Sequence, residues 1–117
     1  MMALTRDQIL GAVDFNYVDV EVPEWGGSVR LRGLSASERD EFEASVGINK
    51  DLTNMRAKMV VNCLIDEDGN RIFKSSDAKQ LGEKNALVVN RLFDECRKLS
   101  GMGDDDLGIA EGNSETQ

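Results

Sequence analysis

The sequence predicts a small α+β domain, mostly helical, with an N-terminal β-hairpin and an acidic, disordered C-terminal tail. Three observations predict it. Apolar and charged residues alternate over residues 18–22 and again over 29–32, the rhythm of half-buried strands. Two later stretches repeat apolar residues at spacings of three and four, as buried helix faces do. The last sixteen residues carry five acids and no base, too little apolar surface to offset the entropy of ordering. At 117 residues the chain is one domain by length, here residues 1–101, with the tail at 102–117.

Each element has its own signal. Thr5 caps a short first helix, with Gln8 completing a capping box, and Ile9, Leu10 and Val13 give that helix a small apolar edge. Val18, Val20 and Val22 form the inner face of the first strand; Val29 and Leu31 form that of the second. Pro23 ends the first strand, and Gly26 and Gly27 permit the return, so the two make a hairpin with a loop of about five or six residues. Asp19 and Glu21 face Arg30 and Arg32 across it.

Ser35 and Glu38 form a second capping box, opening a largely charged helix whose thin apolar face is Phe42 and Val46 and which Gly47 ends. The next helix has a stripe of Leu52, Met55, Met59, Val60, Cys63 and Leu64, with Lys50, Arg56, Lys58 and Asn62 off it. Asp66-Glu67-Asp68-Gly69-Asn70 is a turn, Ile72-Phe73 a short apolar pair, and Ser75 or Ser76 caps a single helical turn ending at Leu81. A long last helix over residues 83–100 buries Leu87, Val88, Leu92, Phe93, Cys96 and Leu99, and Gly101 is its left-handed end. The expected core is Val20, Leu31, Phe42, Met59, Val60, Cys63, Leu64, Val88, Leu92, Phe93 and Cys96.

Composition excludes more than it names. The net charge is −8, from 14 bases and 22 acids; with five acids in the tail, the body holds 17 against the same 14. That sign argues against nucleic acid and anionic membrane as partners, since both demand a basic surface. There is no histidine, the commonest general base and metal ligand. No stretch approaches the ~20 apolar residues of a membrane span. The first eleven residues are not a secretory signal, and Cys63 and Cys96 lie within apolar helical patterns as buried free thiols; both suit a cytoplasmic protein.

An EF-hand fails on the acidic turn: with Gly69 sixth, Leu64 would be first and Ser75 twelfth. Gly101, Gly103 and Gly108 make no dinucleotide fingerprint, and no lysine follows a phosphate loop. No catalytic residue, cofactor or metal site is expected.

A partner-binding role is what the sequence leaves. Trp25 is the lone tryptophan, at a glycine-flanked hairpin tip, either folded back as core or exposed as the kind of aromatic anchor enriched at interfaces. With its neighbours Pro23, Gly26 and Gly27 and the arginines Arg30, Arg32 and Arg39, it makes up the candidate partner-binding set.

The run Val22-Pro23-Glu24-Trp25-Gly26-Gly27-Ser28-Val29-Arg30-Leu31-Arg32, followed by Leu34-Ser35-Ala36-Ser37-Glu38-Arg39-Asp40-Glu41-Phe42-Glu43, resembles the N-terminal part of tail assembly chaperones of long, non-contractile-tailed bacteriophages. The later order agrees: Leu64-Ile65-Asp66-Glu67-Asp68-Gly69-Asn70-Arg71-Ile72-Phe73, then Leu81-Gly82-Glu83-Lys84 opening a helix that ends Leu99-Ser100-Gly101. The resemblance spans about residues 15–106. It implies a non-enzymatic protein of the host cell cytoplasm, absent from the mature virion. Its partners would be the tape measure protein, kept soluble and extended, and the tail tube protein, recruited around it. It also implies self-association into oligomers and a frameshifted longer form. Two rivals stand beside it. One is a virion component of the head–tail joining or tail-terminator type. The other is an acidic DNA-mimic inhibitor, which the nearly balanced body disfavours.

Overall fold

Local signals place most elements where the sequence predicts them in the computed structural model, which describes residues 2–47 and 52–102. Helix α1 (Arg6–Gly11) starts on the Thr5–Gln8 capping box, with both reciprocal hydrogen bonds made. None of its residues is buried. Strands β1 (Tyr17–Val22) and β2 (Gly27–Arg32) pair antiparallel, with Val18 opposite Leu31, Val20 opposite Val29 and Val22 opposite Gly27. This register gathers the valines and Leu31 on the inner face. The connection is a 3₁₀ turn, Pro23–Trp25, closed by Gly26 at φ 83°, so the loop is shorter than expected. Val22, at the strand end, is fully buried, whereas Val20 is only half-buried against the core.

Helix α2 (Ala36–Gly47) opens on Ser35: its Oγ accepts from the Glu38 amide at 3.1 Å, and Glu38 Oε1 accepts from the Ser35 amide at 2.9 Å. Phe42 is its buried residue. Helix α3 (Met55–Cys63) departs from its predicted stripe. Ala57, Val61 and Asn62 are buried along with Met55, Met59, Val60 and Cys63. The helix lies centrally, in contact with α2, with α5 (Ala86–Leu99) and with α4 (Ala78–Leu81), so it has almost no solvated face. Asn62, expected outside, donates to the Lys58 carbonyl at 3.3 Å while its Oδ1 has no partner. Leu52, expected in the stripe, precedes the helix and is exposed.

The chain leaves α3 directly into a short strand, β3 (Leu64–Ile65), antiparallel to β2, with Ile65 bridging to Arg71. The hairpin is therefore the outer part of a three-stranded sheet in the order β1-β2-β3. The intervening acidic segment is the expected turn: Asp66 Oδ1 accepts from the Asp68 and Asn70 amides at 2.9 and 3.0 Å, and Gly69 takes φ 88°. The next helical turn is capped at Lys74, one residue before Ser75 and two before Ser76, with Asp77 Oδ2 accepting from the Lys74 amide at 2.8 Å.

Helix α5 begins at Ala86, not at residue 83, because Asn85 Oδ1 accepts from the Leu87 and Val88 amides and so fixes the N-cap there. The buried face becomes Val88, Val89, Leu92, Phe93 and Cys96; Leu87 sits on the first turn facing away and is 77% exposed. At the far end Gly101 takes φ 72°, its amide donates to the Lys98 carbonyl at 3.1 Å, and the Met102 amide to that of Arg97 at 2.9 Å. This doubly bonded Schellman end turns Met102 into the core, where it is 2% exposed. The ordered unit thus extends one residue into the segment read as tail; the rest of that segment, residues 103–117, lies outside the described residues. Cys63 and Cys96 are buried free thiols; burial first, then the influence of Cys63, pushes the Cys96 thiol well up.

Where β2 ends, Gly33 passes so close to the end of α5 that a Cβ there would lie 2.6 Å from the Leu99 carbonyl oxygen. Beside it the Leu34 amide donates to Ser100 Oγ at 2.9 Å.

Candidate functional site

The hairpin tip is built by Pro23, which starts the 3₁₀ turn, and Gly26, whose left-handed backbone returns the chain. Trp25 is half-buried, resting on the core with one side toward solvent. It lines an open hollow of about 530 Å³ with Phe73, Leu81, Gln80, Glu24 and Lys84. Glu24 takes a two-armed hydrogen bond from Arg91 of α5, at 3.0 and 2.7 Å, which ties the tip to the helix. That guanidinium, and the backbone amide at Glu24, hold the carboxyl down at about 2.

Pro23, Gly26 and Gly27 share the exposed tip with Trp25. The three arginines of the candidate set lie elsewhere. Arg30, on the outer face of the sheet, binds Asp19 at 2.8 and 3.2 Å and stacks over Tyr17; its hydrogen bond lowers the Asp19 pKa. Arg32 does not pair across the strands. It donates to Glu38 at 2.9 and 3.0 Å and to the Gly33 carbonyl at 2.7 Å, and it covers the Phe15 ring. The side chains of this pair are only 13% and 15% exposed, so Arg32 locks the sheet to the start of α2. Arg39 pairs with Glu43 one turn along α2. All three guanidiniums are thus engaged within the fold.

Phe73, Leu81, Lys84 and Arg91, which complete the hollow and fix the tip, are the residues sequence reasoning missed. Glu24 and Arg91 stand 67 positions apart, and no local pattern links them. Among the described residues no group of three or more His, Cys, Asp or Glu could hold a metal ion.

A three-stranded sheet backed by helices, with paired charges on the sheet and an aromatic hollow beside the hairpin tip, defines a small α+β domain. The chain belongs to the phage tail assembly chaperone family, which it matches over residues 8–115. Its structure is similar to that of the bacteriophage HK97 tail assembly chaperone, with a TM-score of 0.63 and 25% identity, over 84% of this chain and 95% of that one. No curated protein matches it in sequence at a significant level.

Proposed function

We propose that this chain binds the tape measure protein during tail assembly in the host cytoplasm, keeps it soluble and extended, and helps recruit tail tube subunits. It acts without turnover and leaves before the virion is complete. The observation that carries this reading is membership of the tail assembly chaperone family over nearly the whole chain. The surface suits it: the Trp25–Phe73–Leu81 hollow and exposed Leu52, Ile72 and Leu87 offer apolar contact on a chain of net charge −8.

Co-expression with a cognate tape measure protein tests the proposal. Wild type should bring the client into the soluble fraction, and Trp25→Ala should lower that yield severalfold with an unchanged far-UV spectrum. A client that stays insoluble with wild type overturns the reading. Mass spectrometry of purified particles separates it from the virion-component rival: a chaperone is absent, a joining or terminator protein present.

A further inference from the structure

Arg56 is set apart by its charge. Among the described residues, every other arginine reaches a carboxylate: Arg6, Arg30, Arg32, Arg39, Arg71, Arg91 and Arg97. Among the same described residues, Arg56 reaches none. It is nonetheless held in place, its Nε donating to Asn90 Oδ1 at 2.9 Å and its guanidinium lying over the Phe93 ring at 5.6 Å. It lines a groove of about 510 Å³ between the starts of α3 and α5. Leu52, Ala86, Leu87 and Val89 line the groove with Lys84 as a second cation, and among the described residues no carboxylate lines it. The apolar side chains of Leu52 and Leu87 are 48% and 77% exposed.

We propose that this groove receives an amphipathic helix of the client that carries a carboxylate beside its apolar stripe, the acid on Arg56 and the stripe on Leu52 and Leu87. The proposal rests on the chaperone reading and names the surface that serves it. A fixed, unpaired guanidinium is preorganised for two-armed carboxylate recognition, and an apolar floor strengthens that bond by excluding water. Lys84 also lines the Trp25 hollow, so the two sites adjoin and a helix in the groove can extend toward the tryptophan.

Two other occupants fit less well. A second copy brings another net charge of −8 against the first. The chain's own Asp104-Asp105-Asp106 follows Met102 at the opposite end of α5. Leu87 and Met102 are separated by about 22 Å at helical rise, and Asp106 reaches about 14 Å from Met102 when fully extended.

The test uses the full chain with the tape measure protein, comparing wild type, Arg56→Glu, Arg56→Lys and Leu87→Ser. Both positions are exposed, so melting should be unchanged. Arg56→Glu should weaken client binding about tenfold or more, Leu87→Ser should weaken it severalfold, and Arg56→Lys should restore part of it. Wild-type binding should fall with added salt and that of Arg56→Glu should not. Equal binding by wild type and Arg56→Glu overturns the groove assignment and leaves the chaperone reading standing; failure of wild type to bind overturns the chaperone reading itself. If Arg56→Glu instead abolishes concentration-dependent sedimentation of the protein alone, a second copy is the occupant. If deletion of residues 103–117 shifts the Leu87 amide signal without client, the chain's own acids are. Either result overturns the proposal.

Discussion

Gly33→Ala places a methyl group where β2 and α5 cross. The new Cβ would stand 2.6 Å from the Leu99 carbonyl oxygen, 3.0 Å from its carbon and 3.4 Å from Ser100 Cα, all backbone atoms that no rotamer change can move. Relief requires the strand end and the helix end to part by about 0.6 Å, an overpacking strain of about 1–3 kcal/mol. The same movement stretches the neighbouring Leu34–Ser100 hydrogen bond from 2.9 Å toward its limit, and losing it adds about 1 kcal/mol. The sum, about 2–4 kcal/mol, is a large share of the roughly 5–15 kcal/mol that holds a domain together. At about 4–8 °C per kcal/mol for a domain near this size, Tm should fall by about 10–25 °C. Gly27→Ala is the control: it has no atom within 4 Å of the new Cβ and should stay within about 0.5 kcal/mol of wild type. Thermal and urea unfolding of the three proteins decide the matter. A Gly33→Ala protein that melts with wild type would refute the close crossing.

Two further predictions concern the core and the Arg32–Glu38 ion pair. Leu92→Ala empties a fully buried position of α5 and should cost about 2–5 kcal/mol in urea unfolding; an unchanged midpoint would remove Leu92 from the core. Glu38 is opposed first by burial, which raises its pKa, but hydrogen bonds from Arg32 and Ser35 outweigh that and leave it lowered. Its folded pKa thus lies below its unfolded one, so its contribution is full above the ordinary carboxylate range and is lost as pH falls through the lowered value. Glu38→Gln keeps the shape without the charge. It should be less stable than wild type by about 1 kcal/mol near neutral pH, with the gap closing in acid. A gap that does not change with pH would show that the carboxylate charge is not what matters.

The parts of the fold that were legible in the sequence are those fixed by neighbours in the chain. Thr5 with Gln8, Ser35 with Glu38, the alternating valines and Gly101 each carry their instruction within a few residues, and each stands where its pattern places it. What escaped was set by long-range packing. Asn62 lies on what local periodicity makes the polar side of α3, yet contact on all sides buries it. Leu87 fits the apolar stripe of α5, but the Asn85 cap fixes the phase of the first turn and leaves it outside. Leu64 reads as the last residue of a helix; the free edge of β2 recruits it as a strand. At the candidate site Trp25 was visible by composition alone, while its half-buried pose depends on Phe73, Leu81 and the Glu24–Arg91 tie, all remote in sequence.

The Met102 closure has a mechanical consequence. Force applied to whatever follows residue 102 meets two hydrogen bonds at the Gly101 turn and a buried thioether side chain before it reaches the body of α5. Those contacts must give before a pull from beyond Met102 is felt along α5, the helix whose Arg91 holds Glu24 and so aligns the hairpin tip. The Gly101–Met102 turn thus works as a strain relief between the end of α5 and the chain beyond it.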